Sequence, residues 1–316
     1  MIRIFFNLVE LRTKVASLLP FLIGTTIAYY TLGSISFERF FLMMFSLLCI
    51  DMATTGLNHY YDYKRALLKK GYHYEKHNPI SSGELAPHVA LRILIALILL
   101  GIFLGLGLVL YTDLVVLALG SLSFAVGISY SAGPLPLSRT ILGELFSGFF
   151  MGVLIPFIAF YIQVPARLLG TVNYEQGSLL MQIHLDVVAS LLFVSFSLML
   201  FIGNIMLANN ICDMEEDFEN KRYTLPLSIG RKNSIILFKI NIVMAYLSLF
   251  VALITGNLPW FVFISFISMP IVYKNTRKFT LNPVKAITFK YAVKNFLVFS
   301  SVLFTNLLMV AFMKFK

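Results

Sequence analysis

Stretches of about 20 residues with few or no charges recur nine times along this chain, and they constrain its fold more than any other feature. In hydrocarbon no water satisfies a backbone N–H or C=O, so a segment that enters the bilayer must close its own hydrogen bonds as a helix or join a sealed barrel. The runs are continuously apolar rather than alternating, which predicts helices. They lie near 15–32, 39–60, 93–112, 114–130, 145–165, 187–210, 235–255, 259–273 and 295–313. The last part of the chain would otherwise hold one overlong run, but Gly256-Asn257-Leu258-Pro259 is turn chemistry and divides it. With 59% apolar and 13% charged residues there is little left for a soluble domain, so residues 1–316 are expected to form a single all-α membrane domain.

Orientation follows from lysine and arginine. With a cytoplasmic N-terminus, the inner segments carry nineteen of the 25 basic residues, in groups at Arg3 to Lys14, Lys64 to Lys76, Arg139, Lys221 to Lys232 and Lys274 to Lys294. Arg39, Arg167, Lys314 and Lys316 fall outside. The net charge of +10 is mostly this asymmetry, and anionic lipid is its expected partner; nothing in it calls for nucleic acid. The short patch Ile4 to Val9, interrupted by Glu10, predicts an interfacial helix rather than a cleaved leader. Cys49 and Cys212 fall on the cytoplasmic half, where thiols stay reduced.

Two polar motifs stand where apolar runs end. Asn58-His-Tyr-Tyr-Asp62 follows the second run, and Asn209-Asn210-Ile-Cys-Asp213 continuing to Asp217 follows the sixth. Residues four apart share a helix face, so Asn58 with Asp62, and Asn209 with Asp213 and Asp217, form ladders of oxygen ligands. Oxygen donors suit a hard cation, and Mg²⁺ in particular is commonly held by a few carboxylates together with substrate phosphates. Basic residues adjoin each motif, Lys64 and Arg65 after the first and Lys221 and Arg222 after the second. Acids alone would repel a diphosphate, and bases alone would not need the acids; together they suit a metal-bridged diphosphate. Glu215, Glu216 and Glu219 read instead as solvated acids of a loop over 211–233. The motif-bearing spans are four apart, which suggests two related four-helix halves and a ninth helix.

These motifs resemble those of the UbiA superfamily of intramembrane prenyltransferases, and within it the branch of 1,4-dihydroxy-2-naphthoate polyprenyltransferases. Asn58 to Arg65 is similar to that branch's first motif, and Asn210 to Leu225 to its second. Tyr130-Ser-Ala-Gly-Pro-Leu-Pro-Leu137 with Leu142-Gly-Glu144 resembles the segment before its fifth helix, and Glu10-Leu-Arg12-Thr-Lys14 with Leu19 to Gly24 its N-terminal signature. The resemblance implies nine transmembrane helices around a central cavity in a bacterial plasma membrane, with the site open to the cytoplasm. It also implies Mg²⁺ at Asn58, Asp62, Asn209, Asn210, Asp213 and Asp217, with Asp62, Asp213, Asp217 and Asn58 as catalytic residues. A polyprenyl diphosphate would be held by Lys64, Arg65, Lys221, Arg222 and Arg139. Ionisation of that diphosphate and attack by dihydroxynaphthoate, with loss of CO₂, would give demethylmenaquinol.

Departures fall on the first motif. The family usually carries an acid where this chain has His59, and a further Asp beyond Asp62 where it reads Ala66-Leu67-Leu68. Asn78 stands before Pro79 where many members have Arg, and Glu75 is the nearest replacement acid. Asp51 lies seven residues before Asn58 and about 16 Å deeper than Asp62 along a helix. A carboxylate at that depth is either a functional group or a protonated partner of a neighbouring helix. Asp51, Arg12 and Lys14 are candidates for the acceptor, with membrane-surface anchoring the plainer role for the two bases. Rival functions are the same chemistry on 4-hydroxybenzoate or a lipid glycerol, a prenyl-lipid binder without turnover, and a transporter, which would place its acids near the midplane.

Overall fold

The computed structural model describes residues 2–65, 78–132, 136–165, 168–175 and 178–315. Helix α1 (Ile2–Leu8) precedes α2 (Val15–Leu32), α3 (Phe37–Arg65), α4 (Pro87–Leu110), α5 (Leu114–Ser131) and α6 (Gly143–Tyr161). The hairpin β1 (Gly170–Glu175) and β2 (Ser178–Ile183) follows, then α7 (Leu185–Cys212), α8 (Met214–Glu219), α9 (Leu225–Ile254), α10 (Met269–Leu281) and α11 (Phe289–Lys314). The all-helical class holds; the antiparallel hairpin, in register from Gly170↔Ile183 to Glu175↔Ser178, is the departure. It occupies the outer segment in which the sequence offered no chemistry.

Among the described residues eight helices are long and apolar enough to cross a membrane: α2 to α7, α9 and α11. The segment expected as a ninth span, 259–273, is not one continuous long helix: a 3₁₀ stretch Trp260–Ser268 runs directly into α10. At about 2.0 and 1.5 Å per residue the two pieces extend about 37 Å, more than a bilayer core. Asn306 Nδ2 donates to the Phe261 carbonyl at 3.0 Å, meeting part of the demand that a 3₁₀ segment leaves in an apolar setting.

Close packing rests on small residues. Gly148 and Gly152, one turn apart on α6, face α7: a Cβ at Gly152 would lie 2.3 Å from Met199 N, and one at Gly148 2.7 Å from Met199 O. Gly24 of α2 meets the Pro156 carbonyl of α6 in the same way, at 2.3 Å. Helices in lipid gain little from hydrophobic exclusion, so backbone approach of this kind and interhelical hydrogen bonds hold them. Ser197 Oγ donates to Ala245 O (2.8 Å), and Asn204 Nδ2 to Phe238 O (2.9 Å), tying α7 to α9. Gly152→Val is expected to lower the thermal unfolding midpoint in detergent by an amount matching overpacking, about 1–3 kcal/mol or more. Gly120→Ala, where a Cβ meets nothing within 4 Å, should leave the midpoint in place.

Length positions the motifs. Helix α3 has 29 residues and α7 has 28, about 44 and 42 Å, so each outlasts a hydrocarbon core of about 30 Å and carries its last turns beyond it. Each motif helix packs most heavily on the next spanning helix, α3 on α4 and α7 on α9. Antiparallel succession gathers the ends of α3, α5, α7 and α10, and the starts of α4, α6, α9 and α11, at one end of the bundle. The far end is closed by Arg39 on Ile162 O (2.8 Å), Tyr161 on Asp113 (2.8 Å) and Lys314 on Tyr30 O (2.9 Å).

Candidate active site

The first motif is helical throughout, because α3 continues to Arg65 rather than ending in a loop near residue 61. Asp62 Oδ1 accepts from Arg139, which reaches it at 3.0 Å from the 3₁₀ turn Leu137–Arg139. The backbone of that turn also accepts from Tyr223 N (to Arg139 O, 3.0 Å), so the loop before α6 and the one before α9 are joined. Asn78 Nδ2 donates to His59 O at 2.7 Å while its Oδ1 caps Ile80 N at 2.9 Å, a buried bracket in place of an arginine.

The second motif is less regular than one ladder. Helix α7 ends at Cys212, Asp213 (φ −97°, ψ 11°) is a joint, and α8 carries Asp217, so the expected loop is partly helical. Asn209 Nδ2 donates to Asp213 Oδ2 at 3.2 Å. Lys285, from the turn between α10 and α11, donates both to Asn209 Oδ1 and to Asp213 Oδ2. Asp217 is buried: Thr224 Oγ1 donates to its Oδ2 at 3.2 Å, and its Oδ1 lies 3.2 Å from Arg222 Nε without hydrogen-bond alignment. Asn210 faces elsewhere, fully buried and donating to Glu144 Oε1 at 2.8 Å.

Electrostatics bind the two motifs into one site. Burial would lower the Arg222 guanidinium, but Asp217, Asp62 and Asp213 outweigh it and keep the group charged, so it answers to both motifs. Burial pushes Asp217 up, only partly offset by Arg222. Glu216 is pushed up to about 7, by burial first and then by repulsion from Asp213 and Asp217; it is part of this acidic crowd rather than a solvated loop acid. Burial raises Glu10, yet the hydrogen bond and charge of His59, with Lys14 and Lys285, hold it below the ordinary carboxylate value.

Among the described residues no three His, Cys, Asp or Glu side chains close into a ready metal cage. The donor set nevertheless fits a hard cation. Asn209 Oδ1 and Asp213 Oδ2 already converge on one ammonium, Asp217 Oδ1 keeps a buried, unbonded lone pair, and the repulsion from Asp213 and Asp217 that adds to burial in lifting Glu216 is what a divalent ion relieves.

The model of the UbiA prenyltransferase family matches residues 17–308. The chain belongs to the UbiA prenyltransferase family. The 1,4-dihydroxy-2-naphthoate octaprenyltransferase of Bacillus subtilis (strain 168) is 29% identical over 286 residues, which cover 89% of this chain and 83% of that protein. A UbiA homolog from Aeropyrum pernix K1 in its apo form matches with TM-score 0.69 at 16% identity over 93% of this chain and 98% of that one. A UbiA homolog from Archaeoglobus fulgidus bound to GPP and Mg²⁺ matches with TM-score 0.65 at 13% identity over 98% and 99%. This prenyltransferase is therefore a multi-pass membrane protein of the UbiA fold.

Of the other sequence candidates, Lys14 and Asp51 meet each other. Lys14 Nζ lies 2.7 Å from Asp51 Oδ1 and 2.7 Å from Thr55 Oγ1, and Ser17 Oγ donates to Asp51 Oδ2 at 2.6 Å. The deep carboxylate is thus matched by a buried cation from the 3₁₀ turn Leu11–Lys14 that leads into α2. Lys64 and Lys221 are exposed, Lys221 with φ 52° in the turn after α8. The side chains of Arg12 and Arg65, and Glu75 altogether, lie outside the described residues.

Three residues enter the site without having been singled out for it. Glu10 Oε1 sits 3.1 Å from His59 Nε2, placing a carboxylate at the first motif from a different element. Glu144 holds Asn210, and Lys285 holds Asn209 and Asp213. Glu10 carried a signal, as an acid interrupting an apolar patch; Lys285 was one loop lysine among several.

Proposed function

We propose that this protein transfers a polyprenyl group from its diphosphate to 1,4-dihydroxy-2-naphthoate in a bacterial plasma membrane, with release of diphosphate and CO₂ to give demethylmenaquinol. The site would open to the cytoplasm, where the excess of lysine and arginine places it. The observation that carries the reading is the convergence of both Asn/Asp motifs, each with a basic partner, at one mouth of the bundle: Asp62 with Arg139, Asp217 with Arg222, Asp213 with Lys285. The identity with the Bacillus subtilis naphthoate enzyme over most of both chains supports the choice of acceptor.

Asn58 and Asp62 on one side, and Asn209, Asp213 and Asp217 on the other, would hold Mg²⁺. Asn210 is assigned to support instead, since its side chain is spent on Glu144. Held by these residues, Mg²⁺ would supply Lewis-acid stabilisation of the departing diphosphate. The chain's own part is to fix and neutralise that diphosphate with Arg139 and Arg222, which are already aimed by Asp62 and Asp217. The acids crowd at the mouth and not at the midplane, and Asp51 is matched by Lys14, an arrangement that suits a transferase better than an ion path.

Purified protein with Mg²⁺, dihydroxynaphthoate and farnesyl or longer prenyl diphosphate is expected to release diphosphate and form the prenylated quinol. Product with 4-hydroxybenzoate but not with the naphthoate would move the acceptor; no product with any aromatic acceptor would remove the reading.

A further inference from the structure

We propose that Lys285 is an internal stand-in cation: it occupies the Asn209–Asp213 pair before substrate arrives, gives way to the metal, and then engages the incoming diphosphate. The inference rests on the metal-binding role proposed above for that pair. Asn209 Oδ1 and Asp213 Oδ2 both accept from the Lys285 ammonium, so two oxygens one helical turn apart point at one position. Mg²⁺ would take oxygens at about 2.1 Å from the same position, and the two cations cannot share it.

Lys285 is placed for exchange. Its turn is fixed at the base: Thr288 Oγ1 donates to Asn282 O and accepts from Val284 N, each at 2.7 Å, and Thr288 N donates to Val284 O at 2.8 Å. The flexible four-carbon stem rises from that rigid base. The side chain keeps 28% exposure, so it can withdraw without opening the core. The Phe289 ring centroid, 5.3 Å from Nζ, offers a second cationic rest position. Once displaced, the ammonium remains tethered beside the mouth, where the newest anion is the diphosphate itself. Asp213 thus avoids standing as an uncompensated acid when the site is empty, and the same lysine charge is reused when the site is full.

Mn²⁺ binding to detergent-solubilised, Mg²⁺-free protein, read by electron paramagnetic resonance without prenyl diphosphate, tests this. Lys285→Met is expected to bind Mn²⁺ several-fold more tightly than the parent, because the competitor is gone. At saturating Mn²⁺ it should bind a non-hydrolysable farnesyl thiolodiphosphate about tenfold more weakly. Lys285→Arg should stay near the parent in both, and Lys290→Met should not change Mn²⁺ affinity, since Lys290 rests over the Tyr291 ring instead. Mn²⁺ affinity unchanged or weakened in Lys285→Met, with binding still sensitive to Asp213→Asn, overturns the role of Lys285 alone. Affinity indifferent to Asp213→Asn removes the metal assignment of the pair, and the inference with it.

Discussion

Asp213→Asn is expected to slow prenyl transfer by about a hundredfold or more, the usual cost of deleting one fixed charge at a reacting centre, while the protein still folds. Asp213 sits at the joint between α7 and α8, where its Oδ2 converges with Asn209 Oδ1 on a single cationic position. The asparagine keeps the shape of the side chain and removes the charge that neutralises a cation. Folding should survive because the residue is only partly buried and caps no core helix through its side chain. Diphosphate release under saturating prenyl diphosphate and acceptor measures the effect. Glu215→Gln is the matched comparison: the residue is exposed two positions on, in the first turn of α8, and its rate should stay close to the parent's. Equal rates for the parent and Asp213→Asn would remove the second motif from catalysis.

Asp217→Ala should act on stability before chemistry. Asp217 is 1% exposed, and Arg222, at 19%, has its Nε 3.2 Å away. Removing the carboxylate strands a guanidinium in a poorly solvated pocket, which typically costs about 3–5 kcal/mol. Thermal unfolding in detergent should therefore fall sharply for Asp217→Ala, and much of the loss should return in Asp217→Ala with Arg222→Met, where no charge is left to strand. A double variant as unstable as the single one would mean that the pair is not the cause. The contrast with Asp213 comes from depth: one acid lies half-buried at the mouth under Lys285, the other closes the turn that starts α9, through Arg222 N on Asp217 O (2.9 Å) and Thr224 on its side chain.

The helical class, the two motifs and the placement of both at one end could be read from residues alone. Long apolar runs leave the backbone one economical solution in lipid, and a helix longer than the hydrocarbon must carry its terminal residues outside it. Asn58 to Asp62 and Asn209 to Asp217 lie on those terminal turns, so their shared surroundings follow from one-dimensional spacing. The broken segment Trp260–Leu281 was harder to see, because apolar composition does not separate 3₁₀ from α geometry. The hairpin at 170–183 was missed although Thr171 to Glu175 alternates strictly, because so short a period-2 signal is outweighed in a chain dominated by long apolar runs.

What only the tertiary structure decided is which charge meets which. Sequence placed Lys64, Arg65, Lys221 and Arg222 beside the acids as neighbours in the chain. Folding chose Arg139 for Asp62 across 77 positions and Lys285 for Asp213 across 72. It also brought Glu10 to His59 from 49 positions away, so that an acid stands at the first motif beside the histidine. Spacing put Asn209 on the face of Asp213, while Asn210 entered as a ligand only through the resemblance; a helical step of about 100° turns it into the core, and the fold supplies Glu144 as its partner there. Hydrophobic length is a property of a segment and can be read along it. Charge pairing depends on the distances between segments, and those are set only when the glycine-lined helix contacts have formed.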